Sequence, residues 1–232
     1  ARFPMDPRLA ASLISAPDFG SLTELLTLVS FLSLQDIRER PIEQAHLADE
    51  AHQKFVDARS DFLTILKMWD WIETLKREES KSSFKKTLKK NFLNFRRTVE
   101  WSETRDQLAR ICKTLGLKAN TDKASYRAIH LPMIIGNLSN LARLKDGTQY
   151  QGARNQSLMI FPGSGLFKKK HAWIVSTEII ETSRIYARDA ASIRPSWVEQ
   201  CSKHLQKERF DDPHWSKKRG EVMGYQTVSL YG

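Results

Sequence analysis

The sequence predicts an α+β protein in which a helical bundle precedes a small β-rich unit. Three observations lead there. Through the first 120 positions apolar residues recur at the three-and-four spacing of helices. After about Asp146 the pattern changes to short β-branched or aromatic runs separated by Gly-, Ser- and Lys-containing turns. A hydrophobic fraction of 41%, with six Trp and eleven Phe in 232 residues, is enough to build a buried core.

The elements follow in chain order. Between Pro7 and Ser15, Leu9, Leu13 and Ile14 fall at helical spacing. Gly20 ends that segment, and Ser21 is placed to cap the next helix. Leu22 to Leu32 is apolar on several faces, which predicts an enclosed helix, and Gln35 to Pro41 is a charged turn. Ser60 or Asp61 can cap a core helix carrying Phe62, Ile65, Met68, Trp69 and Ile72. A basic patch of Lys85, Lys86, Lys89 and Lys90 comes next, then a long helix from about Phe92 to Leu115, closed by Gly116.

Leu158–Phe161, Trp173–Val175, Ile179–Thr182 and Ile185–Ala191 read as strands of a small barrel or sandwich. Pro195 opens a short helix running to Leu205, and the tail past Pro213 is polar and basic until the strand-like Val228-Ser229-Leu230. The expected division is 1–120 for the helical part, 121–210 for the barrel with flanking helices, and 211–232 for the start of a further region.

The net charge of +10 is unevenly placed. Residues 1–80 hold nine Lys and Arg against fourteen Asp and Glu, whereas residues 81–118 hold eleven against three. An excess that begins abruptly at Lys81 favours a polyanionic partner, because clustered cations displace counterions from phosphates. A solvated basic surface is the plainer alternative. No apolar run is long enough for a membrane span, and no secretory leader is legible at the start. Cys112 and Cys201 read as reduced core thiols of a cytoplasmic protein.

Two strings imitate nucleotide chemistry. Asp49-Glu50-Ala51-His52 spells a helicase signature, but it follows a polar, helix-like run instead of a buried strand, and no phosphate loop precedes it. Gly163-Ser164-Gly165 with Lys168 to Lys170 has its lysines in the wrong order for a phosphate cradle. The six histidines are scattered without metal-ligand spacing. The chain therefore carries no catalytic site and no metal site that the sequence reveals.

Several segments together resemble the region downstream of the motor in DEAH-box RNA helicases, particularly the bacterial HrpA type. They are Ala1 to Ala10, Leu34 to Pro41, Ser60 to Leu66, Ile160 to Phe167, and Trp173 to Ser183. They keep the family's order over nearly the whole chain. The resemblance implies a ratchet-like helicase-associated domain, an OB-fold, and two ends that lie inside a longer protein. It also implies that this part closes over single-stranded RNA, while absent RecA-like motor domains of the same chain bind ATP and Mg²⁺. The fragment itself would hold no cofactor and would not hydrolyse ATP alone. One departure from the family pattern is Arg194, where an Asp usually caps the last helix.

Candidate RNA contacts come from both halves. Asn94, Arg97, Thr98, Trp101 and Arg105 form one helical stripe of donors around an aromatic, with Trp101 either stacking on a base or packing on a neighbouring helix. Arg96 and Arg105 match arginines of the family pattern, yet nine residues at 100° each set them on opposite faces. Arg184, Tyr186 and Arg188 alternate with Ile185 and Ala187, so they share one face of a strand. Ser164 and Lys168, Lys169 and Lys170 stand in a turn that the resemblance places near RNA. The rival expectation is a protein-interaction platform that docks an activator or a ribosomal component.

Overall fold

The computed structural model describes residues 3–230. The helical half opens with α1 (Pro7–Ser15), started by Pro at its first turn and by the Asp6 carboxylate, which accepts from the Arg8 N–H at 2.8 Å. Gly20 turns the chain at φ 63°. Ser21 caps α2 (Leu22–Leu32) without a side-chain hydrogen bond, because its hydroxyl donates to the Ala128 carbonyl instead. The enclosed character of α2 is as expected, with Leu25, Leu28 and Val29 fully buried. The charged turn leads to α3 (Ala45–Gln53) and then α4 (Asp61–Glu78). The cap of α4 is Ser60, whose hydroxyl accepts from the Leu63 N–H, leaving the Asp61 carboxylate for another task.

Helix α5 (Lys81–Lys90) is capped by Ser80, and α6 (Phe95–Thr114) by Asn94. The long helix thus begins three residues later than its apolar pattern predicts, because Phe92 sits at φ 53° and breaks the helical path. Helix α7 (Tyr126–Gly136) lies against α1 so closely that a Cβ on Gly136 would strike the Arg8 carbonyl. Fully buried His130 joins α7 to the start of α4. Its Nδ1 faces the Tyr126 carbonyl at 2.6 Å and its Nε2 faces the Ser60 hydroxyl at 2.7 Å. Burial lowers its pKa to about 4, so the ring is neutral, with the hydroxyl donating to Nε2.

The second half is a closed five-stranded barrel: β1 (Leu141–Asp146), β2 (Gln149–Gly152), β3 (Ser157–Ile160), β4 (Trp173–Glu181) and β5 (Ile185–Ile193). Neighbours run β1-β2-β3-β5-β4, with β1 closing on β4 and only β3–β5 parallel. Of the two open architectures, the barrel is the one formed. The runs Trp173–Val175 and Ile179–Thr182 belong to one strand. Strands β1 and β2 escaped prediction because their outward positions are charged or amide-bearing and only alternate residues, such as Ala142 and Tyr150, enter the barrel core.

Helix α8 (Pro195–Cys201) follows, its Arg194 cap making no side-chain hydrogen bond. Strands β6 (Gln206–Ser216) and β7 (Glu221–Leu230) then pair as a two-stranded ribbon. The polar stretch past Pro213 is therefore a strand, and Pro213 sits at its bulge between Asp211 and His214, where a missing N–H does least harm.

The Asp61 carboxylate clips the halves together. It accepts from Ser164 Oγ at 2.6 Å, Gly165 N at 2.9 Å and Ala190 N at 2.9 Å. Gly165 comes so near that a Cβ there would run into the Asp57 carbonyl. Ser60 bridges Ala191, and Ser192 N donates to the Arg59 carbonyl. One apolar core runs through the bundle into Val175, Ala191 and Ile193 of the barrel wall. Among the described residues no helix is long and apolar enough to cross a membrane.

Candidate nucleic-acid interface

Where the bundle meets the barrel there is a cleft of about 690 Å³. It is lined by Arg8, Arg38, Arg97 and Arg188 together with Asp6, Asp36, Glu178 and Asp189. Two local turns of the form Asp-x-Arg build part of it. In each, the Asp carboxylate accepts the N–H two residues on and pairs with that residue's guanidinium, Asp6 with Arg8 at 2.8 Å and Asp36 with Arg38 at 2.7 Å. Burial alone would raise the Asp36 carboxyl, but the charge and hydrogen bonds of Arg38 overcome it and hold the group below its ordinary value.

The other two arginines are less engaged. Arg97 gives one N–H to the Asp36 carbonyl at 2.9 Å. Arg188 lies 3.6 Å from Glu178 and 4.0 Å from Asp189, both beyond good hydrogen-bond length. Both side chains line the cleft.

Asp189 sits in β5 at φ 49°, in the left-handed region that Asp tolerates better than most side chains. Its carboxyl is pushed up to about 6 by burial and then by the charge of Asp61, against the pull of Arg38 and Arg188. Asp61 is likewise raised by burial, although its hydrogen bonds to Ser164, Ala190 and Gly165 oppose the shift.

The structure distributes the sequence candidates unevenly. Arg97 and Arg188, from opposite halves, line one cleft. Outside it on the barrel, Tyr186 meets Phe161 edge-on at 6.0 Å, and the Arg188 guanidinium lies 5.9 Å from the same Phe161 ring. Arg184 stands exposed beyond them, its guanidinium 3.5 Å from Met159 sulfur. The alternation along β5 is as read, since Ala187 enters the barrel core while Tyr186 and Arg188 face out.

Apart from Arg97, the α6 stripe is used within the bundle. Asn94 caps its helix and donates to Glu39 at 2.7 Å. Trp101 is 0% exposed, its Nε1 donating to the Thr27 carbonyl and the Ser30 hydroxyl, so of its two readings the packed one holds. Arg105 donates to Thr27 Oγ1 at 2.9 Å and lies over Trp69. Arg96 is exposed on the other side. The hydroxyl of Ser164 is occupied by Asp61 and by the Leu166 N–H. Lys168, Lys169 and Lys170 are exposed on their turn, with Lys168 at φ 61°, and do not line the cleft.

Arg8 and Arg38 were not among the candidates, although each stands in a segment that carried the family resemblance. The repeated Asp-x-Arg spacing was the available signal. The DEAH string lies within helix α3, where Arg40 holds Asp49 at 2.7 Å and His52 Nε2 meets the Phe92 carbonyl at 3.2 Å.

Two family models match the chain: a helicase-associated, ratchet-like domain over residues 6–65 and an oligonucleotide/oligosaccharide-binding fold over residues 129–205. Fold and matches together define the class, the helicase-associated and OB-fold part of an RNA helicase. Across its whole length the chain is 42% identical to the ATP-dependent RNA helicase HrpA homolog of Haemophilus influenzae and 39% identical to HrpA of Escherichia coli. It is 27% identical over 203 residues to the human ATP-dependent RNA helicase DHX33. Over its whole length the chain is similar to one part of the HrpA-type DEAH-box helicases. It spans 18% of the length of the two bacterial relatives and 28% of the human one.

Proposed function

We propose that this chain is the RNA-gripping accessory part of an ATP-dependent RNA helicase and holds single-stranded RNA in the cleft between bundle and barrel. Arg97 and Arg188 donate to phosphates, and the Phe161–Tyr186 pair offers adjoining bases an aromatic edge. Arg8 and Arg38, each braced by its own Asp, keep the cleft's shape. The observation that carries this reading is the convergence of two loosely partnered arginines from separate halves on one cleft. ATP and Mg²⁺ are handled by motor domains elsewhere in the parent protein, and the RNA is read without regard to sequence.

A fluorescent single-stranded RNA titrated at several salt concentrations tests it. The expected slope of log affinity against log salt is about −0.7 per phosphate neutralised. Arg97→Gln with Arg188→Gln should flatten it by about 1.4 and weaken binding at least tenfold at 100 mM salt. An unchanged slope would assign the cleft to a protein partner instead.

A further inference from the structure

A second charged surface stands apart from the cleft arginines. From Lys81 to Val99 the chain carries five lysines, Arg96 and Arg97 without a single Asp or Glu. Helix α5 buries only Phe84 and Leu88, against α4 and α6. Its other sides expose Lys81, Lys85, Lys86, Lys89 and Lys90, and among the described residues none of the five forms an ion pair with a carboxylate. The nearby Glu79 carboxylate is taken by the Thr87 hydroxyl, at 2.9 Å, and Glu39 by Asn94.

Helix stability accounts for only part of this arrangement. Lys89 and Lys90 sit in the last turn, where the helix dipole favours cations. Lys81 occupies the first turn, where the dipole opposes a cation, and 81/85, 85/89 and 86/90 are like-charge pairs one turn apart. The row costs the helix stability unless a polyanion lies along it.

The surface also continues toward the cleft. Lys85 Nζ lies 5.8 Å from the Phe95 ring, exposed Arg96 is the next residue, and Arg97 lines the cleft. No aromatic is exposed on α5, since Phe84 is 6% accessible. Sites for single strands combine charge with stacking planes, whereas a bare lysine row responds to charge density alone. A double strand offers about twice the phosphates per unit length, and α5, roughly 15 Å long, spans several of them.

We propose that the exposed lysine face of α5 is a docking surface for the phosphate backbone of double-stranded RNA. With the cleft as the single-strand site, it holds the duplex flank of the same substrate. That last connection rests on the proposed function, but the duplex site does not.

The test measures binding of this chain to a blunt RNA duplex and, separately, to a single-stranded RNA between 50 and 200 mM salt. One variant replaces Lys81, Lys85, Lys86, Lys89 and Lys90 with Gln. A charge-matched control replaces five other exposed lysines, Lys113, Lys118, Lys145, Lys203 and Lys217. The α5 variant should lose at least tenfold in duplex affinity at 100 mM salt and flatten the salt slope by roughly three, at a little under one per phosphate. The control should change duplex affinity by no more than about threefold. The expected single-strand affinity of the α5 variant stays within about threefold of the parent, while Arg97→Gln with Arg188→Gln shows the opposite pattern. Equal losses in the two lysine variants would reduce the effect to net charge and overturn the proposal, as would a parent chain that does not bind the duplex. If the duplex result holds and the cleft variant leaves single-strand binding intact, the cleft reading fails alone.

Discussion

Asp189 shows how much one residue at the junction can influence. Its carboxyl lies among Asp61, Arg38, Arg188 and Asp36, and burial together with the Asp61 charge lifts it from 3.8 to about 6. A folded-state pKa above the unfolded value means the folded protein holds that proton more tightly. The associated stability is complete below about pH 4 and is lost as pH rises through 6. At neutral pH the ionised group costs roughly 3 kcal/mol. Asn resembles the protonated carboxyl in shape and tolerates the left-handed backbone at this position. Asp189→Asn should match the parent at pH 4 and melt several degrees higher at pH 7.5, as read by thermal unfolding across that range. A variant less stable at pH 7.5, or a difference independent of pH, would show that the Asp189 carboxylate is not the strained group.

At the scale of elements, helix α6 separates what periodicity reveals from what it leaves open. The stripe from Asn94 to Arg105 is present as read, but a stripe states only which residues share a face. It does not say whether that face meets solvent or another helix. Here α2 presents the Thr27 carbonyl and the Ser30 hydroxyl to Trp101, and the Thr27 hydroxyl to Arg105, so those two donors are used in packing. The first half of strand β5 was legible for the opposite reason, because its inward Ile185 and Ala187 are apolar and its outward Tyr186 and Arg188 are aromatic or charged, and alternation of that kind has one stable orientation. Trp101 also touches Phe31 and Trp69 edge-on at 4.9 and 4.7 Å. Trp101→Ala should therefore cost about 3–5 kcal/mol in chemical denaturation. A cost below about 1 kcal/mol would mean the α2–α6 contact is not a principal part of the core.

The whole molecule depends on contacts distant in sequence. The order of a helical half and a β half was legible because each half has its own hydrophobic period. The clip between them was not, since Asp61 meets Gly165 and Ala190 across more than 100 residues, and neither N–H leaves a mark in the sequence. The same reasoning separates β6 and β7 from everything before them. Among the described residues, neither apolar core contains a side chain beyond Leu205. The Gln206 amide ties the start of the ribbon back, donating to the Glu199 carbonyl at 2.6 Å and to Ser202 Oγ at 3.0 Å. It leaves Phe210, Trp215, Val222 and Tyr225 exposed, and an isolated two-stranded ribbon adds little stability of its own. A chain ending at Leu205 should therefore melt within about 3 °C of the full chain, a change of roughly 1 kcal/mol at this size. The shorter chain should also bind less of a dye that reports exposed apolar surface. A melting point lower by 10 °C or more would show that β6 and β7 stabilise the barrel wall, and the boundary of the folding unit would move past the ribbon.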